Sequence, residues 1–166
     1  MGIGRLIELK EERFKKLSDT FTRPDNTTAY LAGDVVADSA SSPTLLDFGN
    51  LYSRGVKIIN AQLLIYLSAA IAGMDTWTLH LYSSAITAKN DNAAWDCVAG
   101  DRSSYLGSFD FAACTDSGST LISQNSAVNL VVDCPNRKLY GILETNGAFT
   151  PSAEIEFLIN LYVEGC

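Results

Sequence analysis

The chain of 166 residues has the length of one domain and is long enough to bury a core without metal or disulfide support. With 47% hydrophobic and 19% charged residues it is excluded from the disordered polyampholytes and lies slightly to the apolar side of ordinary globular proteins. The formal net charge of -7 is uneven: residues 1–23 carry six basic and four acidic side chains, leaving six basic and fifteen acidic on an acidic body that would repel the phosphate backbone of DNA or RNA.

In chain order, Ile3, Ile7, Lys10, Phe14, Leu17 and Phe21 recur at alternating steps of four and three. That period predicts an amphipathic helical arm over residues 3 to about 21, closed by Pro24, which pushes Arg23 towards extended geometry. The arm is assigned residues 1–23 and the body 24–166. A helix this short is marginal alone, so its seam needs a surface to lie on. Ile3, Ile7, Phe14, Leu17 and Phe21 are therefore expected to meet a partner, with Lys10, Lys15 and Lys16 facing acidic surface. Arg5, Glu8 and Lys10 interrupt the place where a secretory signal would need an apolar run, so synthesis in the cytoplasm is expected.

From Pro24 onward the period changes to two, broken by clusters of Gly, Asn, Asp and Ser. Short strands are predicted at Ala29–Ala32, Val35–Ala37 and Leu45–Phe48. A long one follows, with Ile59, Ala61, Leu63, Ile65 and Leu67 inward; its apolar run to Met74 is too short to cross roughly 30 Å of hydrocarbon, and no membrane association is expected. Further strands are predicted around Trp77–Leu81, Phe109–Ala113, Val128–Val132 and Tyr140–Ile142. Ile155, Phe157, Ile159, Leu161 and Val163 form the cleanest alternation, at the C-terminal end. About eight strands with turn signals between them predict an all-β, two-sheet β-sandwich, jelly-roll-like in form. Residues 88–96, 101–104 and 115–125 are predicted to be long loops.

The residues that could carry chemistry are few. His80 stands alone, on the strand face opposite Trp77, Leu79 and Leu81, and is expected to be half-exposed; no G-x-S-x-G turn offers a nucleophile. Cys97, Cys114, Cys134 and Cys166 lack paired metal-ligand spacing and default to free thiols, with a Cys97–Cys114 bridge as the alternative after release from the cell. Asp91, Asp96 and Asp101, with Asn90 and Asn92, lack the order of a calcium loop. Glu154 and Glu156 are expected to be exposed acids on a terminal strand. No cofactor, metal or catalytic residue is assigned, and the chain is not expected to be an enzyme. Trp95, in a polar loop, is expected either to plug the end of the sandwich or, with Tyr105, to contact a glycan.

The segment Thr22-Arg23-Pro24-Asp25-Asn26-Thr27-Thr28-Ala29-Tyr30-Leu31-Ala32-Gly33-Asp34-Val35-Val36 resembles an opening of the form T-R-P-x-x-T-T-A-Y-x-A-G-D-V-V found in structural proteins of tailed bacteriophages. In residue detail the resemblance covers these fifteen positions; in general character it extends over the β body. It implies a virion structural protein, a capsid cement or decoration protein on the outer surface of the head. Such a protein would be a homo-oligomer, a trimer, with the major capsid protein as partner, and Arg23 and Tyr30 join the expected contact residues. The alternative is a carbohydrate-binding or fibre-associated adhesion module.

Overall fold

The computed structural model describes residues 14–165. Eleven strands are found among them: β1 (Phe14–Thr22), β2 (Asp34–Val36), β3 (Leu46–Asn50), β4 (Gly55–Ile65), β5 (Trp77–Tyr82), β6 (Tyr105–Phe111), β7 (Thr115–Asp116), β8 (Leu121–Asn125), β9 (Leu130–Asp133), β10 (Lys138–Thr145) and β11 (Glu156–Gly165). One antiparallel sheet runs β1-β11-β4-β8-β7, with β9 continuing along β4 below β8. The other runs β2-β10-β5-β6, with β3 continuing along β10 below β2. The first strand lies beside the last, and the chain passes between sheets after β1, β3, β4, β6, β9 and β10. That interleaving is jelly-roll connectivity, with β2/β3 and β8/β9 each serving as one interrupted strand.

The expected helix does not extend over residues 14–21, and Ile3, Ile7 and Lys10 lie outside the described residues. The stretch Phe14–Thr22 is β1, paired along its full length with β11 from Phe14 opposite Glu164 to Thr22 opposite Glu156. As a strand it turns Leu17 into the core and stacks Phe21 on Phe157, ring centroids 5.0 Å apart. A nine-residue ladder with Leu17 buried and Phe21 partly buried against the core outweighs the helical period of a segment that could bury little alone. The sandwich therefore starts at or before Phe14, ahead of the expected boundary at Pro24.

Facing side chains of the two sheets form one core. Trp77, fully buried on β5, meets Phe157 and Phe149 edge-on, and Val56, Ile58, Leu63, Leu79, Phe111, Leu121, Leu139 and Leu161 fill the space around it. In β4 the alternation changes phase. Val56 and Ile58 point inward, then Ala61, Leu63 and Ile65, because the register slips between Tyr162 and Val163 of β11. Such a bulge turns the expected inward Ile59 away from the core.

Other expectations are corrected in the same way. Ala29–Ala32 is not a strand, although Tyr30 is buried. Residues 115–125 are mostly a β-hairpin, β7 with β8, whose turn is closed by Ser117 N donating to Thr120 O (2.9 Å), with Gly118 at φ 96°. On β10 the core face is Leu139, Gly141 and Leu143, so Tyr140 and Ile142 belong to the opposite face. That face is buried too, and the reason lies in the connection from β5 to β6.

Candidate functional site: the covered face of one sheet

The connection 83–104 turns back over the outer face of the β2-β10-β5-β6 sheet. It adds a bridge beside β2 at Asp34 and Ala94, where Val35 N donates to Ala93 O (2.8 Å) and Trp95 N to Gly33 O (2.8 Å). Beneath it Val35, Ala37, Tyr82 and Ile142 form a second, smaller apolar cluster, with Ile86, Trp95 and Tyr105 packed against it. Two side-chain constellations hold the connection down.

The first is aromatic. Trp95 lies flat on His80, centroids 3.8 Å apart and planes 10° from parallel, and Tyr105 tilts against both rings. His80 is 4% exposed, not half-exposed, because Trp95 covers it. Burial pushes its imidazole below the usual range, against the opposing pull of Glu144 and, more weakly, Asp110. The ring is thus neutral at neutral pH. Its partners fix the tautomer: Nε2–H donates to Glu144 Oε2 (2.5 Å), a pure acceptor, and Nδ1 accepts from the Tyr105 hydroxyl (3.2 Å). Both ring nitrogens are engaged, so neither is presented to a nucleophile. The Trp95 indole N–H and the Tyr82 hydroxyl lie buried near one another without a hydrogen bond of normal geometry, and desolvation first of all pushes the Tyr82 phenol up to about 12.

The second is polar, and it centres on Arg23 and Tyr30 of the Thr22–Val36 segment. Arg23, 1% exposed, donates from Nε to the Tyr30 hydroxyl (3.0 Å) and from its terminal nitrogens to Ala153 O (2.6 Å), Asn26 O (3.1 Å) and Asn26 Oδ1 (2.9 Å). Tyr30 in turn donates to Asp91 Oδ1 (2.5 Å), which also accepts from Ala37 N (3.1 Å). Asp91 Oδ2 stands 3.9 Å from the guanidinium. Burial first, then Asp91, raises the Tyr30 phenol well above the usual range. Four stretches of chain meet here: the 23–33 connection, Ala37 just past β2, the 83–104 connection and the 146–155 connection. Asp34 completes the segment by accepting from Leu31 N (2.7 Å), across the turn where Gly33 adopts φ 94°.

The expected contact residues are not brought together. Phe14 is 56% exposed while Leu17, on the same expected seam, is in the core. Lys15 donates to Asn50 O (2.6 Å), and Lys16 is exposed. Arg23 and Tyr30 are interior, so their place is in the fold and not on a free surface. Trp95 and Tyr105 do meet, but over the outer face of a sheet and not at the end of the sandwich. Cys97, Cys114 and Cys134 are free thiols, with no Cys97–Cys114 bridge. Among the described residues no group of three or more His, Cys, Asp or Glu is placed to hold a metal ion. Asp91, expected in an exposed polar loop, is buried; Glu144 and Asp91 were not singled out as site residues, since their partners lie far away in sequence.

No protein-family model matches the chain, and no curated protein matches it. Solved structures to which the chain is similar include phage and virus capsid proteins. They include the capsid of Ralstonia phage GP4 (20% identity, 92% of this chain and 86% of that one, TM-score 0.45). A chain of the cyanophage Pam1 capsid asymmetric unit is 10% identical over 90% of this chain and 84% of that one, TM-score 0.37. The decameric BFDV capsid protein is 13% identical over 92% and 98%, TM-score 0.36.

Proposed function

We propose that this protein is an auxiliary structural component of a tailed-phage particle, a cement or decoration protein on the outside of the head that bridges major capsid subunits as a homotrimer. The observation that carries the reading is the Thr22–Val36 segment, whose residues resemble those of tailed-phage structural proteins. Its chemistry suits a mechanical part. Arg23, Asn26, Tyr30 and Asp34 spend their polar groups on locking loops together, so the segment stiffens one end of the sandwich. A bridging protein stabilises a shell by adding buried area across a junction, on the order of 1,200 Å² or more for a specific contact. Trp95 and Tyr105 support the glycan-binding alternative less well, because one face of the Trp95 ring is already spent on His80.

The arm's contribution is tested with a chain lacking residues 1–13. A longer deletion would remove β1 and Leu17 from the fold and so would not isolate the arm. The full chain is expected to co-sediment with purified shells at stoichiometric occupancy, and the shortened chain to stay folded and lose that binding. Unchanged occupancy would remove Ile3, Ile7 and Lys10 from the contact; absence of binding by the full chain would refute the cement role.

A further inference from the structure

The jelly roll has two poles, and the charged side chains are sorted between them. At one pole lie the connections 23–33, 66–76, 112–120 and 146–155. The first, second and fourth are packed on one another: Tyr30 N donates to Phe149 O (2.8 Å), Asn146 N to Thr76 O (2.9 Å), and the backbone at Gly73 lies so close to Ala148 that a Cβ would stand 2.0 Å from its carbonyl oxygen. The exposed charges of these connections are Asp25, Asp75, Asp116 and Glu154. No lysine or arginine is exposed in them, since Arg23 is buried. The stretch from Ser68 to Met74 carries no charge, and two of the chain's exposed large apolar side chains, Leu31 (67%) and Tyr66 (44%), stand at this pole.

The opposite pole has the reverse character. Lys15, Lys16, Arg54, Lys57, Arg137 and Lys138 gather where β1 begins, β9 ends and the 51–54 and 134–137 connections cross. Backbone bonds from Leu51 N to Arg137 O and from Cys134 N to Arg54 O, both 2.8 Å, hold these two connections side by side. The acids among them, Asp47, Asp133 and Glu164, are half as many. Asp133 is taken up by Arg54 (2.6 Å), and Asp47 stands 3.6 Å from Lys138. Val131 (63% exposed) sits here opposite Lys57, and Phe14 (56% exposed) is three strands away along the same outer face, across β4 and β11.

We propose that these poles are the two halves of one interface between copies of the chain, the acidic pole of one copy seating on the basic pole of the next. Each pole offers exposed apolar side chains, the first among acids alone and the second among six basic and three acidic side chains, so the net signs are opposite. An apolar centre with a charged rim is the ordinary anatomy of a specific interface, and charge complementarity fixes the pairing. Two copies meeting like pole to like pole would set acid against acid or base against base, which disfavours a two-fold dimer through either end. The contact is heterologous and closes into a ring when the rotation between copies allows, or runs on as an open chain when it does not. The inference concerns contacts between copies and does not depend on shell binding.

Sedimentation velocity of the full chain at low and high salt, with two charge-reversed forms, provides the test. One form carries Asp75→Lys with Glu154→Lys, the other Lys16→Glu with Arg137→Glu; all four sites are exposed. The unmodified chain is expected to associate at low salt and dissociate at high salt as screening shortens. Each reversed form alone, with an unchanged unfolding midpoint, is expected to stay monomeric under the same conditions. An equimolar mixture of the two is expected to associate again, because each now supplies the sign the other lacks. A monomeric unmodified chain at low salt, a reversed form that associates as before, or a mixture that stays monomeric would each overturn the proposal.

Discussion

At Asp91 the 83–104 connection is held by hydrogen bonds and a buried charge, whereas a few residues later, at Trp95, it is held by a ring laid on a histidine. The polar anchor reaches through the end of the molecule, joining the 23–33, 83–104 and 146–155 connections and the residue after β2, while the aromatic anchor touches one sheet face. The two should fail differently. Removing one member of a buried polar set strands the others in a place with little water, and the cost falls on the whole fold. Removing the stacked ring uncovers apolar surface and frees one connection, and the cost is local.

The largest effect is expected from Arg23→Leu. It leaves Asp91 buried without its cation and Tyr30 without a donor, and global stability should fall by about 3–5 kcal/mol, the range for breaking a buried ion pair on one side. Urea unfolding monitored by the core Trp77 region would measure it. Next comes Trp95→Ala, with an expected loss of about 1–3 kcal/mol, since the ring is half-buried and not fully enclosed. Its signature is cleavage: limited proteolysis should cut within 83–104 while the rest of the sandwich stays protected. Asp91→Asn combined with Trp95→Ala should be non-additive by roughly 0.5 kcal/mol or more, because both anchors restrain the same short stretch; strict additivity would mean that they act independently.

The smallest effect is a pH dependence. Burial holds the folded-state pKa of His80 below its unfolded value of 6.5, so between those two values the unfolded chain binds the proton and the folded chain does not. The contribution of neutral His80 is complete above pH 6.5 and is lost as pH falls towards the folded pKa. Stability should therefore decline on acidification below about 6.5. In His80→Gln that part of the slope should disappear, as seen in unfolding midpoints across the range; a slope unchanged by the substitution would assign it to other groups.

Much of the sandwich was legible because each strand carries its own signal. The alternation of Ile155 to Val163 and of Trp77 to Leu81 marks a buried face whatever the partner strand is. The phage-like segment was legible as a string of residues, but its physical role was not. Arg23 and Tyr30 were expected as contact residues from the resemblance alone, which carries residue identities and says nothing of burial. Their partner Asp91 is 61 residues from Tyr30, and no local pattern announces it. Strand β1 was missed for a related reason. Phe14, Leu17 and Phe21 satisfy a helical period, and only the whole length of β11 makes the strand the better solution. The face of β10 that carries Ile142 was hidden because period-two reasoning assigns one face to the core and the other to water. It has no means of seeing a connection that folds back as a cover.

The proposed place on the head of the particle is tested most directly by quantitative mass spectrometry of purified virions. The measurement compares the copy number of this chain with that of the major capsid protein. A copy number of the same order as the shell subunit is the expected result for a protein that bridges capsid junctions over the whole head. A handful of copies, or none in purified particles, would contradict it.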